Sequence, residues 1–110
     1  MKHESTRIYA TSLELNRVSA VVVERLPTGY AFLADQIRRA AASVTLNFSE
    51  GCRRTSRAER RRFFTVAAAS ASEVSAVVDV AHAHRVIRDD ERAKAKDLCD
   101  HLSAMLRLYR

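Results

Sequence analysis

Within 110 residues the chain has one proline, Pro27, and two glycines, Gly29 and Gly51, so almost nothing interrupts it. Sheet-rich domains need turn residues at short intervals, roughly every 8–12 residues in a sandwich. This chain has none of that punctuation, and its abundant Ala, Leu, Arg and Glu are good helix formers. Few long helices are the solution left. A chain this size has room for one core and one domain, residues 1–110.

Apolar spacing places the helices. Ile8, Ser12, Leu15, Ser19, Val22 and Leu26 recur every three or four residues and share one face of a helix over about 4–26. Pro27, Thr28 and Gly29 supply a turn. Leu33, Ile37, Ala40, Ala41, Val44 and Phe48 then line a helix over about 30–52, which Gly51 is suited to end or loosen. Ser56-Arg57-Ala58-Glu59 has capping-box spacing and predicts a third helix over about 57–84, with Phe63, Ala67, Ala71, Val74, Val78 and Ala81 facing inward. Asp89, Asp90 and Glu91 suit the positive end of a fourth, about 89–109, carrying Ala95, Leu98, Leu102, Met105 and Tyr109.

Four amphipathic helices joined by connections of a few residues pack antiparallel around a shared core, giving an all-α, up-down-up-down four-helix bundle. Ala42 and Leu46 on the second helix, and Val66, Val77 and Val80 on the third, widen the apolar arc beyond one core face. Such surplus marks a contact with another molecule, and self-association through the outer faces of these two helices is expected.

Strictly apolar runs such as Ala20–Val23 and Val66–Ala69 fall far short of the roughly 20 residues of a membrane span, and no membrane partner is expected. Cys52 and Cys99 make neither a disulfide framework nor a C-x-x-C motif; reduced thiols and a cytoplasmic location are the expectation.

Catalysis finds little support. Gln36, Arg39, Ser43, Asn47, Glu50 and Arg54 form a polar stripe along the second helix, and Ser70 and Glu73 lie beside core positions of the third. Neither group includes a His or Cys to act as nucleophile or base. The expectation is a partly buried structural network of Arg39, Ser43, Asn47, Glu50, Ser70 and Glu73, which would fix register or a subunit contact. His82 and His84, two residues apart on a helix, point in nearly opposite directions, so neither a metal nor any other cofactor is implied.

Charge gives the strongest functional signal. The chain carries +6 overall, and residues 51–62 alone hold six arginines against one glutamate, a local +5. Arg53, Arg54 and Arg57 fall in the connection, and Arg60, Arg61 and Arg62 wind around the first turns of the third helix beside its free amides. Guanidinium groups so gathered suit the phosphate backbone of RNA or DNA. With Phe63 and Phe64 expected to face inward, base stacking is not indicated.

The segment Gln36–Gly51, QIRRAAASVTLNFSEG, resembles the signature of the four-helix proteins encoded in 23S rRNA intervening sequences, a Q-[LI]-R-R-A-A-x-S-[IV] run leading to N-[IF]-x-E-G. The likeness continues through Leu26-Pro27, Arg53, Arg54, Phe63 and the Ser70-x-x-Glu73 pair. Thr45 stands where that family usually has proline, and the first helix lacks the usual Trp-containing start. The resemblance implies a bundle without established enzymatic activity that assembles as a ring-like homopentamer. It also implies kinship with accessory proteins of diversity-generating retroelements, which bind nucleic acid and a reverse transcriptase. Taken together, these readings describe a non-catalytic, oligomeric binder of structured RNA or DNA. The competing reading is an interaction scaffold docking an acidic partner such as a polymerase.

Overall fold

The computed structural model describes residues 3–109. They form α1 (His3–Arg25), α2 (Ala31–Arg53), α3 (Arg57–Ala83) and α4 (Asp89–Leu108), each end within one or two residues of its expected place. Each helix packs on its chain neighbours and α4 closes back on α1, making an elongated four-helix bundle of 44 × 22 × 17 Å. The lower end of the bundle therefore gathers the close of α2, the opening of α3 and the close of α4.

The connections follow from local chemistry. Pro27 and Gly29, the latter at φ 99°, turn α1 into α2. Ser56 caps α3 by accepting a hydrogen bond from the Glu59 amide at 3.1 Å. The Glu91 carboxylate accepts from the Arg88 amide at 2.9 Å at the start of α4. Between α3 and α4, where no glycine or proline stands, Arg85 takes the left-handed conformation at φ 62°. Its amide reaches His82 O at 2.9 Å and that of Val86 reaches Ala81 O at 3.1 Å, the bond pair of a Schellman stop.

Ile8, Leu15, Ile37, Val44, Phe48, Val74 and Leu102 are buried at the centre. Several inward assignments shift. Phe64, not Phe63, is the fully buried member of its pair; Phe63 is partly buried. Val77 lies in the core rather than on an outer face, and on α4 Cys99 and Leu106 carry the buried stripe while Leu98 and Met105 sit at its margin. Each is a rotation of the apolar arc by one position, which three-and-four spacing leaves open. Gly51 does not end α2 but lies buried inside it.

The helix pairs are also pinned by polar contacts. Between α1 and α2, Thr45 Oγ1 donates to Ser12 Oγ at 2.8 Å, and the Asn16 amide donates to Thr45 Oγ1 at 3.1 Å and Ala41 O at 2.9 Å. Between α3 and α4, Asp79 accepts from Arg92 Nε at 2.9 Å and from Lys96 Nζ at 2.7 Å. α3 contains an 18-residue stretch long and apolar enough to cross a membrane by composition, but its Phe64, Ala67, Ala71, Val74, Val78 and Ala81 face are built into this core.

Candidate nucleic-acid interface

The arginine cluster occupies the lower end of the bundle, and the structure divides its members by what they touch. Arg53 and Arg54, at the close of α2, both pair with Glu50 three and four residues earlier. These pairs, the Arg53 hydrogen bond foremost, hold the Glu50 carboxyl below its ordinary range. Arg60 turns back over the end of α2, where its Nη1 lies 3.2 Å from Cys52 O, 3.3 Å from Arg54 O and 3.4 Å from Gly51 O. Gly51 O also accepts from the Arg54 amide at 3.2 Å, and the guanidinium, reaching all three carbonyls, caps the negative end of the helix.

Arg54 and Arg62 lie over the Phe63 ring, at 5.2 and 5.4 Å from its centroid, and Arg60 lies 5.5 Å from that of Phe64. Phe63 is therefore a cation–π support for two guanidinium groups rather than a core residue. Both rings turn inward at least in part, but Phe63, expected to head the core stripe of α3, stays at the rim while Phe64 takes the buried place under α2. The side chains of Arg57 and Arg61, one turn apart on α3, make no ion pair or hydrogen bond to another described residue.

A cleft of about 820 Å³ opens between the first turns of α3 and the last turn of α4. Arg54, Arg57, Arg60 and Arg61 line it from the α2–α3 side, and Arg107 comes from α4. No aspartate or glutamate is among the described residues lining it. Elsewhere Arg17, Arg25, Arg38, Arg88 and Arg92 each have a carboxylate within 4.0 Å. Arg57, Arg60, Arg61 and Arg107, none with a described carboxylate within 4.0 Å, thus share one concave surface with Arg54, whose charge Glu50 offsets. Arg107 was missed because it is a lone arginine in sequence; the antiparallel pairing of α3 and α4 brings it to the cluster.

The expected polar network is smaller than its sequence pattern. Ser43 Oγ and Ser70 Oγ lie 2.7 Å apart, and the Asn47 amide donates to Ser43 Oγ at 2.9 Å, joining α2 to α3. Arg39 and Glu73 are exposed and take no part, while Glu50 turns to its own arginines. Solvated side chains gain little by reaching across a helix interface when water or an adjacent charge is nearer.

Among the described residues no three His, Cys, Asp or Glu side chains gather closely enough to hold a metal ion. His82 Nε2 lies 2.6 Å from Asp89 Oδ1, and His84 Nδ1 lies 3.2 Å from the Tyr30 hydroxyl, both at the opposite end of the bundle. Both thiols are free. Burial pushes Cys99 up to about 12 and raises Cys52 as well.

Comparison with solved structures finds a crystal structure of a protein of unknown function from the S23 ribosomal protein family of Bacteroides thetaiotaomicron. It superposes with a TM-score of 0.83 at 18% identity, over 90% of this chain and 94% of the other. That likeness supports the bundle fold. No curated protein matches the chain. The family model of the 23S rRNA-intervening sequence protein matches residues 4–108, which spans all four helices, and the chain belongs to that family.

Proposed function

We propose that the protein is a non-catalytic, self-associating binder of structured RNA that holds backbone phosphates in the arginine cleft. The observation that carries this reading is the convergence of Arg54, Arg57, Arg60, Arg61 and Arg107 on a surface lined by no carboxylate. Arg57 and Arg61 supply unpaired guanidinium forks to phosphate oxygens. Arg53, Arg54 and Arg62, held by Glu50 and Phe63, widen the positive rim, and Arg60 contributes charge while fixing the end of α2. Such contacts read charge and shape, so DNA of similar charge density binds by the same mechanism. The family's name supports an rRNA setting.

Self-association is supported by apolar side chains left outside the core: Leu46 is 66% exposed on α2, and Val66 and Val80 are 43% and 42% exposed on α3. A closed ring, pentameric by family resemblance, repeats the cleft around an axis and multiplies weak phosphate contacts into avidity. The same exposed side chains favour a second reading, in which this face docks a polymerase or reverse transcriptase and nucleic acid is incidental.

Anisotropy titration of a labelled RNA hairpin at low salt tests the first reading. The wild type binds, and the Arg57→Ala/Arg61→Ala double variant binds at least tenfold more weakly with unchanged circular dichroism; absence of wild-type binding sinks it. Capture from nuclease-treated lysate tests the second: a polymerase retained without nucleic acid favours it, and loss of all partners removes it.

A further inference from the structure

We infer that the α3–α4 cleft is a nucleotide subsite, which seats the base as well as the phosphate of one unpaired nucleotide. This rests on the RNA-binding reading and extends it, because contact to backbone phosphates alone leaves most of the cleft unexplained. A phosphate group occupies only the arginine mouth. The space of about 820 Å³ lies within the range of small-ligand clefts, roughly 300–1,000 Å³.

Beyond Arg57 and Arg61 the cleft runs as a trough past Ala68, Ala69 and Ser72 of α3 to Ser103 and Leu106 of α4. One-carbon side chains at Ala68, Ala69, Ser72 and Ser103 keep its walls low. Its mouth ends on Tyr109, whose ring is fixed by Phe64 at 5.3 Å and Phe48 at 5.8 Å between centroids. The hydroxyls of Ser72 and Ser103 make no hydrogen bond to another described residue.

Anion-binding forks and an aromatic edge at the mouth, an apolar floor behind them, and free hydroxyls along the wall suit one ligand chemistry. It is a planar heterocycle with hydrogen-bonding edges joined to a phosphate. Guanidinium planes and aromatic rings both stack on unpaired bases, which is how proteins hold single-stranded nucleotides. The cleft thus favours RNA with an unpaired tail, loop or end over a blunt duplex of equal charge.

The test uses the full chain with adenosine 5′-monophosphate, ribose 5-phosphate and inorganic phosphate as separate titrants, alongside a blunt RNA hairpin and the same hairpin with a single-stranded tail, intact or abasic. Adenosine 5′-monophosphate is expected to bind about tenfold more tightly than ribose 5-phosphate, the factor one stacked base supplies. The intact tail should bind more tightly than the abasic one. Filling the trough by Ser103→Leu, or by Ala69→Leu should the first variant fold poorly, should bring both ratios towards one.

Equal affinity for the nucleotide and the sugar phosphate, with the blunt hairpin still bound, overturns the subsite and leaves phosphate binding standing. Nucleotide binding with no hairpin bound gives the opposite result: the subsite holds, its ligand is a free nucleotide, and the RNA reading fails.

Discussion

Gly51 lies so close to Phe64 that a β-carbon on it would come within 2.5 Å of the ring's Cε1 and 2.8 Å of its Cδ1. The ring cannot retreat, since it is wedged against Phe48 and Tyr109. The missing side chain at Gly51 therefore lets α3 pack tightly on the end of α2, where Arg60 reaches over the last carbonyls.

Gly51→Ala gains up to about 1 kcal/mol of helix propensity but overpacks a fixed ring, a cost of roughly 1–3 kcal/mol. The expected outcome is net destabilisation by about 1–2 kcal/mol in urea denaturation, with weaker RNA binding through displacement of the arginine cluster. Unchanged stability would show that Phe64 has room to move.

Arg60 and Arg61 adjoin in sequence and should behave differently. Arg60→Ala strips a cap from three carbonyls and should lower stability by about 1–2 kcal/mol as well as weaken binding. Arg61→Ala should leave the unfolding free energy in urea within about 0.5 kcal/mol of wild type and weaken binding only. Parallel denaturation and RNA titration of the two variants separate the roles.

Arg85 holds a left-handed conformation at φ 62° that costs most side chains about 1–2 kcal/mol. Because its backbone bonds already form a Schellman stop, Arg85→Gly should raise stability by about 0.5–1 kcal/mol, after the added freedom of the unfolded chain is offset. A lower thermal midpoint would assign this arginine a compensating contact.

Asp79 is held below its ordinary 3.8 by hydrogen bonds from Lys96 first and Arg92 second. A carboxyl with a depressed folded value binds its proton more readily when unfolded. The link therefore stabilises the protein above pH 3.8 and is lost as pH falls through the folded value. Asp79→Asn should lower stability at pH 7 and make little difference at the acid extreme, as urea midpoints across pH will register.

Much of the architecture was legible because helix breakers are so few: Pro27, Gly29 and the Ser56–Glu59 cap locate two connections, and the periodic apolar residues place all four helices. The third connection was visible only through Asp89, Asp90 and Glu91, since Arg85 does the work usually left to glycine. The site was legible as a charge run and no further. Spacing could not reveal that Phe63 faces the rim, that Arg60 is occupied by carbonyls, or that Arg107 crosses from α4. Those facts depend on helix rotation and pairing. The Ser12, Asn16 and Thr45 link went unread for the same reason: small polar residues on an apolar face declare their partners only once α1 and α2 meet.

The most direct test of the central claim is the salt dependence of hairpin binding by the wild type and by Arg61→Ala. If phosphates are held by these arginines, the logarithm of affinity falls linearly with that of salt concentration, and removing Arg61 makes the slope shallower by about 1. Affinity insensitive to salt, or a slope unchanged in the variant, would contradict an arginine cleft that grips the nucleic-acid backbone.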